Sequence, residues 1–204
     1  VICSASLDQG VPCWMKGQGK GWVTAEYSML PTSTHQRSDR EINKGKLSGR
    51  TQEIQRLIGR SLRNVCDLNA MGEILIKIDC DVISADGGTR TASINGSWIA
   101  LQIAFNKLKK DKVIFYNPIK NGLSAISCGL VNGKVILDLN YEEDSNAEAD
   151  ANFVFNSAGY IVEIQCTGET KPISETHFTN MFNIAKSACK TIFLKQKASL
   201  DQGD

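Results

Sequence analysis

The chain has 204 residues, of which 42% are hydrophobic and 22% charged, with a net charge of +1. That balance suits a globular chain with a sizeable core and excludes a disordered or strongly polyelectrolyte protein. No apolar run is long enough to span a membrane and no signal peptide is visible, so no membrane association is expected.

In chain order, Val1–Leu7 reads as a strand that is apolar from its first residue, which suggests a missing N-terminal segment. Residues 8–20 are a Gly- and Lys-rich loop, and Gly21–Leu30 is a second strand ended by Pro31. Residues 32–49 are polar, basic and poorly periodic, a loop with room for one helical turn. A helix begins at Arg50, with Ile54, Leu57, Ile58, Leu62 and Val65 as its buried stripe and Gly72 as the punctuation at its end. Residues 73–83 form a strand with Ile74, Ile76, Ile78, Cys80 and Val82 on one face. The turn Asp86-Gly87-Gly88-Thr89-Arg90 leads into a helix carrying Ile94, Trp98, Leu101, Phe105 and Leu108. After a connector over 111–123 come strands at Ser124–Leu130 and Lys134–Tyr141, joined by Asn132-Gly133, a hairpin signal. A second hairpin pairs Ala151–Phe155 with Tyr160–Thr167, and Ile173–Leu200 is a terminal helix with Ser174 as N-cap. The order predicts an α/β (α+β) fold with mixed sheets and flanking helices, in one domain over 1–204. The strands-then-helix layout of each half hints at an internal repeat.

Charge is unevenly distributed. Between Arg37 and Arg63 eight Lys/Arg stand against three acids, whereas Asp138–Asp150 holds six acids and no Lys or Arg. A basic block beside an acidic block suits a phosphate-rich polymer on one side and a divalent cation on the other. The bland alternative is two solvated faces. The seven cysteines are scattered, odd in number and without a C-x-x-C pair, which points to a reduced cytoplasmic protein without disulfides or structural zinc. His35 and His177 have too few partners to suggest a zinc site.

The Gly87-Gly88 turn is the most informative stretch. A helix start presents free N–H groups and the positive end of the helix dipole. Gly88 lets an anion approach the backbone, Thr89 offers a hydroxyl and Arg90 a planar fork of donors. The residues fit an oxyanion or phosphate site, and equally an ordinary turn with a surface arginine. Arg50, a cation at a helix N-terminus, makes most sense with an anion beside it. Asp144 and Asp150 could share Mg²⁺ or exchange a proton, if both line a strand–loop–strand edge.

These motifs coincide in one family. Gly19-Lys-Gly-Trp-Val-Thr-Ala-Glu-Tyr-Ser-Met-Leu-Pro31, Ser33-Thr-His35, Ser48-Gly-Arg-Thr-Gln-Glu-Ile-Gln-Arg-Leu-Ile58, Asp79–Ile94, Val131-Asn-Gly133 and Tyr141–Asp150 resemble the ribonuclease PH family in the same order over essentially the whole chain. The resemblance implies a fold like domain 2 of ribosomal protein S5. It also implies phosphate-dependent removal of nucleotides from the 3′ ends of RNA, chiefly tRNA precursors, with release of nucleoside diphosphates. Inorganic phosphate would be the co-substrate, Mg²⁺ the cofactor and a homo-hexamer, a trimer of dimers, the assembly. It assigns phosphate binding to Arg50, Gly88, Thr89 and Arg90, catalysis to Asp144, Asp150 and Arg50, metal binding to Asp144 and Asp150, and RNA binding to Arg37 and Arg40. The family often has Arg where Thr32 stands, so one RNA contact is expected to be absent. The other readings are a non-catalytic RNA-binding ring subunit and an inactive shortened copy.

Overall fold

Two sheets are held apart by one long helix. The computed structural model describes residues 1–201. The first sheet has the order β1-β3-β2, with β1 at Ile2–Gln9, β2 at Trp22–Met29 and β3 at Ile74–Val82. Strand β3 runs antiparallel to β1 and parallel to β2. The second sheet is wholly antiparallel, in the order β5-β4-β6-β7, from β4 (Leu123–Val131), β5 (Lys134–Leu137), β6 (Ala149–Asn156) and β7 (Ile161–Gly168). Both halves place strands before a long helix, but their strand pairing differs.

Helix α1 (Gly49–Asn64) lays Ile54, Leu57, Ile58 and Leu62 on β2, as its apolar spacing predicts. It ends at Asn64, not near Gly72. Cys66 instead forms a β-bridge to Ile119, and Asp67 N–H donates to the Pro118 carbonyl, so the connector captures the chain there. Helix α2 (Thr89–Lys110) packs on β1 with one side and on β4 with the other. It belongs to a core that takes in Ile76, Ile78 and Val82 of the first sheet and Leu123, Ala125 and Val154 of the second. Asn95 fixes this docking, because its side-chain amide both donates to the Ala125 carbonyl and accepts from the Ala125 N–H, each at 2.8 Å.

The terminal helix α4 (Glu175–Asp201) covers the opposite face of the second sheet, with Met181, Ala185 and Cys189 against Ile126, Cys128, Phe153 and Phe155. Ser174 Oγ accepts from His177 N–H at 3.2 Å, the expected N-cap. Strand β4 is therefore covered on both faces. Its even positions point at α4, where Ser124 Oγ donates to the Cys189 carbonyl, and its odd positions point at α2.

Two boundaries differ from the sequence reading. The hairpin turn at Asn132-Gly133 has both residues at positive φ (50° and 72°), as an Asn-Gly turn requires, but β5 stops at Leu137 rather than running to Tyr141. Asp138 takes φ +57°, leaving the extended conformation, and Asn140 then caps a short helix α3 (Tyr141–Ser145). Asn140 Oδ1 accepts from Glu143 N–H at 2.8 Å while the Glu143 carboxylate accepts from Asn140 N–H at 3.0 Å, a complete capping box. All seven cysteines are free thiols.

Candidate active site

The ends of α1, α2, α3 and β6 converge on a cleft of about 1090 Å³. Arg50, Gly88, Thr89, Arg90, Asp144 and Asp150 all line it. Residues far apart in the chain thus form two facing walls, one cationic and one anionic.

The cationic wall is built on helix starts. Arg50 is the second residue of α1 and is exposed. Ser48 caps α1 by accepting from Thr51 N–H at 3.1 Å, and the Glu41 carboxylate accepts from Ser48 Oγ and Thr51 Oγ1, both at 2.8 Å. Glu41 lies on a 3₁₀ turn at Glu41–Lys44, the single helical turn anticipated in the basic loop. The anion that makes a cation tolerable at this helix start is therefore supplied in part by the protein itself.

Helix α2 starts differently. Gly88 is its N-cap at φ +56°, and no side chain caps the first turn. Gly87, at φ +75°, passes so close to the Leu139 carbonyl that a Cβ there would lie 2.1 Å from its oxygen, so no other residue fits. The result is an uncapped helix N-terminus facing the cleft, flanked by Thr89 and Arg90, which is the arrangement that binds oxyanions. Thr89 Oγ1 is 2.8 Å from the hydroxyl of Tyr27, a buried residue near the end of β2. Burial pushes the Tyr27 phenol up, so it stays protonated and fixes the Thr89 rotamer. Arg90 Nη1 donates to Gln165 Oε1 at 3.4 Å. Among the described residues neither Arg50 nor Arg90 forms an ion pair, leaving both guanidinium groups available to an anion.

The anionic wall belongs to the second half. Asp144 is on α3 and Asp150 on β6, so a helix and a strand carry the acid pair where a strand–loop–strand edge was expected. Burial, then the neighbouring Asp144 charge, raises the Asp150 carboxyl above its ordinary value, and Arg90 across the cleft opposes that rise. Asp86 ties the walls together: its carboxylate accepts from Tyr141 N–H, at the start of α3, at 2.9 Å. The rings of His35 and Tyr141 meet edge to face at 5.7 Å on the rim.

Arg37 and Arg40 lie outside this cleft. Arg40 lines an adjoining cavity of about 590 Å³ that shares Arg50 with it. Arg37 is exposed and paired with Asp39 at 3.6 Å. Thr32 is exposed as well. Three supports escape sequence reasoning: Tyr27, Glu41 and Asp86. For each, the bond crosses to a partner that no local pattern reveals. The Asn140-x-x-Glu143 capping box, by contrast, is readable in the sequence and would have placed Asp144 on a helix.

One or two carboxylates with room for water and phosphate oxygens suit Mg²⁺, which seldom takes an all-protein cage. Asp144 and Asp150 fit that description, since both face the cleft and neither is bound in an ion pair among the described residues.

Known proteins resemble the chain over nearly its whole length. Residues 1–105 match the model for domain 1 of the 3′ exoribonuclease family, and residues 123–188 that for domain 2. Ribonuclease PH of Maricaulis maris is 58% identical over 200 residues, covering 98% of this chain and 84% of the relative. Ribonuclease PH of Rhodospirillum rubrum is 55% identical, with 98% and 83% covered. Among solved structures, rice Rrp46 superposes with a TM-score of 0.75 at 21% identity, covering 98% of this chain and 82% of that one. An Archaeoglobus fulgidus exosome with RNA bound to its active site gives 0.77 at 15% identity, covering 95% and 77%. These two share the fold. With both family domains matched in order and relatives above half identity along nearly its whole length, the chain belongs to the 3′ exoribonuclease family typified by ribonuclease PH.

Proposed function

We propose that the cleft is a phosphorolytic centre in which the cationic wall holds inorganic phosphate and the anionic wall manages the leaving group. The chain is a phosphate-dependent 3′-to-5′ exoribonuclease. The observation that carries the site assignment is the uncapped start of α2, with Thr89 and Arg90 beside it and Arg50 lining the same cleft.

An oxygen of inorganic phosphate attacks the phosphorus of the last phosphodiester. The new P–O bond yields a nucleoside diphosphate, and the bond to the 3′ oxygen of the preceding nucleotide breaks. Little covalent chemistry falls to the protein, so positioning and electrostatics carry the catalysis. The α2 amides, the Thr89 hydroxyl and the Arg50 and Arg90 forks orient the nucleophile in line. The departing 3′ oxygen needs a proton. Asp150, whose carboxyl is raised above its ordinary value by burial and then by the Asp144 charge, would deliver or relay it. In the alternative role, with both carboxyls ionised, Asp144 and Asp150 would hold Mg²⁺, which would offset charge on the phosphoryl oxygens.

Arg37, Arg40 and the basic loop grip the RNA backbone without reading sequence. The substrates are 3′ ends of tRNA precursors and other RNA. The exposed apolar side chains Val113, Phe115 and Tyr116 support assembly into a homo-hexameric ring, and light scattering should return six times 22.3 kDa. No helix among the described residues is long and apolar enough to cross a membrane, and the scattered free thiols support a cytoplasmic setting.

The deciding experiment digests a 3′-extended tRNA with Mg²⁺, with and without phosphate, and identifies the product. Nucleoside diphosphates that appear only with phosphate are expected. Monophosphates released without phosphate would replace phosphorolysis by hydrolysis.

A further inference from the structure

Three buried serine hydroxyls find no hydrogen-bond partner among the described residues: those of Ser33, Ser61 and Ser127. Of these, Ser127 alone lines the cleft. The residue is 6% exposed. A hydroxyl buried without a partner forfeits its bonds to water and receives nothing in return, so such groups are rare in the absence of a task.

The position is well determined. Ser127 is an odd residue of β4, and its odd neighbours Leu123 and Ala125 face α2, whereas Ser124, Ile126 and Cys128 face α4. Its backbone is fixed by pairing with Asn152 on β6, and its carbonyl accepts from Asp138 N–H at 2.8 Å. The hydroxyl stands 3.6 Å from the point where a Cβ on Gly88 would sit, directly at the first turn of α2. Asp138 Oδ1 and Thr91 Oγ1 lie equally near that point, both at 3.5 Å, but the carboxylate offers only an acceptor and Thr91 already donates to the Gly88 carbonyl at 2.8 Å. Ser127 is thus an uncommitted donor on the second-sheet side of an uncapped helix start.

We infer that Ser127 is a further phosphate-binding residue, its hydroxyl donating to an oxygen of the inorganic phosphate held at the N-terminus of α2. The inference rests on the phosphorolytic reading of the cleft. It adds to the first-half residues Arg50, Thr89 and Arg90 a contact from the second half. The bound phosphate then bridges the two halves of the chain, and the second sheet contributes to nucleophile placement as well as to the acid pair.

Ser127→Ala tests it, since alanine keeps the backbone and fills nearly the same space. At saturating RNA the KM for phosphate should rise roughly 10- to 100-fold, as loss of one hydrogen bond to an anion implies. The KM for RNA should stay put. The rise in Tm that phosphate gives the parent should shrink, while Tm without phosphate should hold or increase, because the variant no longer buries an unsatisfied hydroxyl. Should the alanine variant not fold, Ser127→Cys, a weaker donor of similar shape, should show the same phosphate-specific shift in smaller measure. An unchanged phosphate KM and an unchanged phosphate-dependent Tm shift would overturn the assignment, provided that the parent depends on phosphate. A rise confined to the KM for RNA would overturn it too. A parent that needs no phosphate would instead remove the phosphorolytic reading itself, and this assignment with it.

Discussion

The two walls of the cleft solve opposite electrostatic problems. The cationic wall places Arg50 and the Thr89-Arg90 pair at helix starts, with long side chains in or near solvent and the rigidity supplied from behind by Tyr27, Ser48 and Glu41. Charge on that wall costs little, and its precision comes from the partners behind it. The anionic wall half-buries Asp150 beside a like charge, which raises its carboxyl. Charge there is held against the fold's own preference. A site can therefore be rigid without being strained on one side, and reactive because it is strained on the other.

The sharpest break in this comparison is Asp150→Asn. Phosphorolysis should fall by roughly 10²- to 10⁴-fold, the range of a positioned acid or base, as read by diphosphate release. Stability should move the other way. A carboxyl whose folded-state pKa exceeds its unfolded value binds its proton more tightly in the native state, so ionisation costs stability once the pH passes the folded value. The Asp150→Asn variant should accordingly match or exceed the parent in Tm at pH 7, and that margin should close below about pH 4, where the parent carboxyl is protonated in both states. A lower Tm at pH 7 would contradict the account of the anionic wall. Next in size, Arg50→Ala or Arg90→Ala should raise the phosphate KM about 10- to 100-fold, the equivalent of one charge-assisted hydrogen bond. Unchanged phosphate dependence in both would sink the assignment of the cationic wall. Tyr27→Phe removes only the support behind Thr89 and should cost roughly 2- to 10-fold in the same constant. Ser48→Ala should lower stability by about 1 kcal/mol in a denaturant titration, with less effect on phosphate use than Arg50→Ala.

The sequence is most informative where chemistry and local geometry coincide. The Gly87-Gly88 turn is legible because the backbone needs glycine there and the proposed anion would use the hydroxyl and guanidinium of Thr89 and Arg90 beside it. The stripe of α1 and the alternation of β3 are legible because burial imposes a period. Helix α3 escapes such a reading because five acidic and polar residues have no apolar stripe, and β5 reads too long because the positive φ of Asp138 leaves no mark in composition. Tyr27–Thr89 and Asp86–Tyr141 join residues 62 and 55 positions apart, and such bonds depend on how sheets and helices stack. Ser127 reads as one more small residue in an apolar strand, and only its partnerless burial at the head of α2 gives it meaning.

Strand β4 carries a consequence for dynamics. Covered on both faces, paired with β6 over Leu123–Leu130 and with β5 over Cys128–Val131, it should hold the slowest-exchanging amides among the described residues, and opening it should require the two halves to come apart together. We propose that the described residues, 1–201, unfold as one cooperative unit for that reason. Because α2 is clamped to β4 through Asn95, the mouth of that helix is moored to the last part of the protein to let go. Local opening elsewhere in the chain would then leave the proposed phosphate site its shape.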